Sequence, residues 1–142
     1  MNDKEQQVWQ RVRGTKGPDT GPEQKQMLLD AMEMAAVYGY LLKNASDQSR
    51  ELLLRLQEGE RANIACLKGI ARLRRQELPG KILPPDREPP QKMLERCYHR
   101  SRRAMLGFLA QSAVDEFGEV YRAMADREER HCAWLAQLMG SL

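Results

Sequence analysis

The 142-residue chain is the length of one domain and long enough to bury a sizeable core. Its 42% apolar and 30% charged residues and formal charge of +3 describe an ordinary globular protein. They exclude the dense basic stripe with interleaved aromatics that nucleic-acid binding needs. No window holds about 18 uninterrupted apolar residues, which excludes a helical membrane span. MNDKEQQVWQRV lacks the basic-then-apolar layout of a secretory signal. The expectation is a cytoplasmic protein with neither nucleic acid nor membrane as a partner.

In chain order, EQQVWQRV suggests a short helix offering Val8, Trp9 and Val12, and RGTKGPDTG follows as a loop. Residues 1–21 therefore read as an N-terminal appendage to a bundle spanning 22–142. Asp19 or Thr20, with Pro22 just inside, marks the first long helix start. Helical periodicity then covers roughly 22–44, 47–76, 89–112 and 116–140, with Asp47 and Asp115 opening the second and fourth helices. No strand signal intervenes.

The connections near 45–47 and 113–115 are short and force antiparallel neighbours, giving hairpins over 22–76 and 89–140. Between them, ELPGKILPPDREPP carries Pro79, Pro84, Pro85, Pro89 and Pro90. An extended stretch of about a dozen residues reaches on the order of 35–40 Å, the length of a helix of about 25 residues. The segment 77–88 is thus expected to cross the full height of a bundle.

The chain repeats itself. Shifting it by 68 positions lays 33–70 over 101–138 without a gap. Ala36 then meets Ala104, Gly39 meets Gly107, Asp47 meets Asp115, Glu60 meets Glu128, and Leu67 meets Leu135. The register holds through the turn, which points to an internal duplication of one helical hairpin.

Polar residues interrupt each apolar stripe near its middle. The fourth helix places Phe117, Val120, Met124, Glu128, His131, Leu135 and Leu138 on one face, and the second places Leu52, Leu56, Glu60, Asn63, Leu67 and Ile70. The first gives Leu29, Glu33, Ala36 and Tyr40; the third gives Leu94, Ser101, Met105 and Phe108. Counting back from the turns at roughly 1.5 Å per residue brings Glu33, Glu60, Asn63, Ser101, Glu128 and His131 to one depth. Buried carboxylates must be neutralised by cations, protons or donors. A Glu-x-x-His pair offers one oxygen and one nitrogen ligand a helical turn apart, a donor set suited to iron or manganese.

Tyr40 and Tyr121 could bond a carboxylate or simply pack, and Glu95 and His99 lie near Ser101 but off its angular position. Glu58 and Glu129 are expected to face solvent. Cys66, Cys97 and Cys132 lack the close spacing of zinc or redox motifs and read as buried reduced thiols. The clusters Arg72–Arg74–Arg75 and Arg100–Arg102–Arg103 read as solvated or as complements to helix dipoles.

With E33-x6-Y40, E60-x-x-N63, E128-x-x-H131 and the hairpin–crossover–hairpin order, residues 22–140 resemble the ferritin-like superfamily. Within it they are similar to rubrerythrin-type di-iron carboxylate proteins without a rubredoxin domain. The resemblance implies a ferritin-like four-helix bundle, two irons bridged by carboxylates, and their oxidation by peroxide or dioxygen. Carried over by position, Glu33, Glu60, Glu128 and His131 match as metal ligands. Asn63 stands where the family has histidine, and Ser101 where it has glutamate, so the site is partly degenerate.

The resemblance implies a homodimer and, for redox turnover, an external electron donor. Expected occupancy is one ion, or two held weakly, of iron, with manganese or zinc in its place, or none. Whether the chain is an iron-dependent oxidoreductase stays open at this point. The alternative is a metal-free descendant kept as a structural or protein-binding module.

Overall fold

The computed structural model describes residues 20–141. The expected N-terminal helix with Val8, Trp9 and Val12 lies outside the described residues. Those residues form an all-α chain without strands: α1 Thr20–Leu42, α2 Asp47–Leu73, α3 Pro90–Ser112 and α4 Gly118–Gly140. Each helix packs most extensively on its hairpin partner, α1 on α2 and α3 on α4; α2 also meets α4, and α1 meets α3. No helix of the described residues is long and apolar enough to cross a membrane.

The ends of the helices follow local chemistry. Ser46 caps α2 by accepting from the Ser49 N–H at 3.3 Å. At the other end, Arg75 N–H reaches Arg72 O and Gln76 N–H reaches Ala71 O, the paired bonds of a Schellman stop. That stop requires a left-handed residue, and Arg75 supplies it at φ 54° where glycine is usual. Pro90 starts α3 at a position that needs no N–H donor.

The fourth helix begins at Gly118, later than the expected Asp115. Asp115 is spent on the turn: its Oδ1 accepts from the Phe117 N–H at 2.8 Å and from Arg74 Nη2 at 2.7 Å. Arg74 also lies 5.1 Å over the Phe117 ring. It is therefore a half-buried tie between the end of α2 and the α3–α4 turn, where the sequence suggested a solvated cation. Gly118 is fixed by close approach, because a Cβ there would come 2.6 Å from the Ser112 carbonyl oxygen.

Two apolar clusters fill the interior. One joins Met34, Tyr38, Leu53, Leu56, Cys97 and Leu135. The other joins Leu28, Leu67, Ile70, Phe108, Tyr121 and Met124. Glu60, Asn63, Ser101, Glu128 and His131 are also buried and belong to neither cluster, each at most 1% exposed. The buried positions of α2 and α4 obey the 68-residue repeat: Leu56, Glu60, Asn63, Leu67 and Ile70 correspond to Met124, Glu128, His131, Leu135 and Leu138.

The first helix breaks that symmetry. Its buried stripe is Gln24, Leu28, Ala31, Met34 and Tyr38, whereas the expected Leu29, Glu33, Ala36 and Tyr40 lie on its half-buried flank. One residue of phase is about 100° of rotation. Met34 therefore takes the interior place expected for Glu33.

Candidate metal centre

Glu128 and His131 stand one turn apart on the buried face of α4, and Glu60 faces them from α2. His131 Nδ1 lies 2.8 Å from Glu60 Oε2 and 3.6 Å from Glu128 Oε1. One donor atom from each of the three falls within 4.8 Å of the others, which is the span of a single metal's ligand set. All three side chains are sealed from solvent.

Burial makes their protonation interdependent. Burial first, then the charge of Glu128, raises the Glu60 carboxyl well above its usual range, against the lowering effect of the His131 hydrogen bond. Burial would raise Glu128 as well, but hydrogen bonding from His131, then Glu60, outweighs it and holds this carboxyl low. Burial alone would lower His131; its bonds to Glu128 and Glu60 reverse that and lift it to about 9. Without a metal, the three groups share their charge: His131 is held toward its protonated form and Glu128 toward its ionised form, while Glu60 is pushed toward the neutral acid.

The neighbours of these three are arranged around that charge. Asn63 Nδ2 donates to Glu128 Oε1 at 3.1 Å, while its Oδ1 accepts from Arg127 Nη1 at 3.1 Å. Arg127 thereby fixes the amide with its donor turned toward the carboxylate and its oxygen turned away. Ser101, fully buried, directs its hydroxyl to the Met34 sulfur at 3.6 Å.

Of the residues expected to meet at this depth, five converge and Glu33 does not. Its side chain is 41% exposed and pairs with Arg100 Nη2 at 3.1 Å. Glu95 and His99 are exposed and stay outside the centre; Glu58 and Glu129 face solvent as expected. Tyr121 belongs to the second apolar cluster and accepts from Gln24 Nε2 at 2.5 Å, and half-buried Tyr40 packs against the first cluster.

Two residues near the centre were not legible as such. Tyr38 and Cys97 are completely buried. Burial pushes the Tyr38 phenol well above its ordinary value, with Cys97, Glu60 and Glu128 adding to the effect. Burial likewise pushes the Cys97 thiol up to about 12. The available signal was spacing: Cys97 lies one turn before Ser101, and Tyr38 one turn after Met34. Cys66 and Cys132, expected as buried thiols, are half-buried and free.

The donor set can be tested for a cation on its own geometry. Glu60 Oε1 and Glu128 Oε2 are buried and make no hydrogen bond among the described residues. Buried carboxylate oxygens without a partner are costly. A cation held by one oxygen of each carboxylate and the imidazole nitrogen, donors that lie within 4.8 Å of one another, would offset that buried charge, so the residues fit a metal. Comparison of the chain with protein-family models, with curated proteins and with solved structures gives no match.

Proposed function

We propose that this protein binds one divalent transition-metal ion through Glu60, Glu128 and His131. The observation that carries the reading is the sealed cluster in which one donor atom each of Glu60, Glu128 and His131 lies within 4.8 Å of the others, with one further oxygen of each carboxylate left without a hydrogen bond. Two carboxylates and one imidazole suit iron, manganese or zinc. A second ion is poorly supported. Its ligands would come from Asn63, Ser101 and Glu33, and these are committed to Arg127, Met34 and Arg100 respectively.

The same reading makes the bundle ferritin-like, of rubrerythrin type. In its support, one apolar cluster unites the α1–α2 turn with the start of α3 and the end of α4. The other unites the start of α1 and end of α2 with the end of α3 and start of α4. Residues 76–89, free of regular structure, would then run from one end of the bundle to the other.

Bound iron would supply redox chemistry toward peroxide or dioxygen. The chain's own residues would hold the ion and exclude bulk water from it. An external electron donor would complete turnover.

A second reading is a metal-free structural or protein-binding module. It is favoured by the internal neutralisation of the carboxylates by His131 and the Asn63 amide. Thermal melting separates the two, since a ligand that binds only the folded state must raise the melting temperature. Added Fe2+ or Mn2+ raises it if the centre binds metal. An unchanged transition in excess metal leaves only the second reading.

A further inference from the structure

Gly59 sits in the interior of α2, immediately before Glu60, where no turn, cap or positive φ calls for glycine. Glycine is a poor helix former there. The space beside it explains its presence. A Cβ at position 59 would fall 2.1 Å from His131 Nε2 and 2.6 Å from Cε1. The outer edge of the imidazole thus rests against the α2 backbone, in the volume that any other side chain would claim. On another side the ring meets Trp134, with centroids 5.7 Å apart and planes 30° apart. Held between these two, the ring turns Nδ1 toward Glu60 and Glu128.

We propose that Gly59 is a positioning residue for the metal centre: by making room for the Nε2 edge of His131, it fixes Nδ1 as the nitrogen offered to the cation. This rests on the single-metal reading above. A side chain at 59 displaces a rigid ring whose donor must stay within a few tenths of an ångström of its place. The residue acts through His131 and does not touch the ion.

The test is a cycle of four proteins: wild type, Gly59→Ala, His131→Ala and the double variant. Metal-free melting is measured on all four, and Co2+ titration by visible absorbance on the first two. Alanine at 59 should lower the melting temperature when His131 is present. It should raise it when His131 is alanine, because the space is then open and alanine favours the helix. Gly59→Ala should weaken Co2+ binding by about tenfold or more with its helical circular dichroism retained. The same sign of shift in both backgrounds, or unaltered Co2+ affinity in a folded Gly59→Ala protein, overturns the proposal. A wild-type protein that takes up no Co2+ contradicts the metal reading instead, while the melting cycle decides separately whether Gly59 seats the ring.

Discussion

His131 and Glu60, 71 residues apart and on different helices, meet with Nδ1 2.8 Å from Oε2 in a fully buried layer. A proton held on Nδ1 in that contact would occupy the nitrogen a metal would use. Proton and cation therefore compete for one atom, and the behaviour of the protein with pH follows from that competition.

Without metal, His131 carries a folded-state pKa of about 9, above its ordinary value of 6.5. A group raised on folding contributes stability that is fully present below its unfolded pKa and lost as pH rises through its folded one. Glu60, also raised, acts in the same direction. The metal-free protein should therefore lose stability as pH rises from about 6.5 to about 9, seen as a falling melting temperature. His131→Gln should flatten that decline. Metal affinity should run the opposite way and strengthen over the same interval, as the proton leaves Nδ1.

Glu33 and Glu128 should respond differently to removal. Glu33 is partly exposed and bonded to Arg100, so Glu33→Ala is expected to leave metal affinity within about twofold of wild type. Glu128→Ala removes a buried donor and should abolish binding. Equilibrium dialysis against Mn2+ checks both. A loss of binding in Glu33→Ala equal to that in Glu128→Ala would show that α1 rotates when metal arrives.

How much of this was legible in the sequence differs from helix to helix. The buried faces of α2 and α4 could be read directly, because Glu60, Asn63, Glu128 and His131 interrupt long apolar stripes. On α1, nearly every residue from Met27 to Leu42 can pack, and such a helix has no clear polar face to set its phase. Helical spacing and the depth of Glu33 below the turn favoured the stripe with Glu33, and packing chose the one with Met34, about 100° away. Tyr38 was missed for the same reason. The start of α4 was misplaced because Asp115 aligns with Asp47, a helix start, while here it serves Arg74 and the turn.

The Asn63 amide should be worth more than its size suggests. Asn63→Ala removes a donor from Glu128 and frees Arg127, leaving a buried carboxylate less satisfied at a cost of about 1–3 kcal/mol. Urea unfolding of the metal-free proteins measures this. A loss close to zero would mean that the Asn63–Glu128 bond is absent in solution.

Arg74 ties the end of α2 to the α3–α4 turn through Asp115, whose side chain is 1% exposed. Arg74→Ala leaves that carboxylate buried and unpaired, for a loss of about 3 kcal/mol. Its neighbour Arg75 should behave in the opposite sense. Held at φ 54°, it is strained by its own Cβ, and Arg75→Gly should stabilise the protein by about 1 kcal/mol. Chemical denaturation of the two variants should shift in opposite directions from wild type.

The most direct test of the metal centre is the metal content of protein purified without chelator, desalted and reloaded anaerobically with Fe2+. The account predicts about one ion per chain, lost in His131→Ala. Less than roughly a tenth of an equivalent in the folded wild-type protein would contradict it.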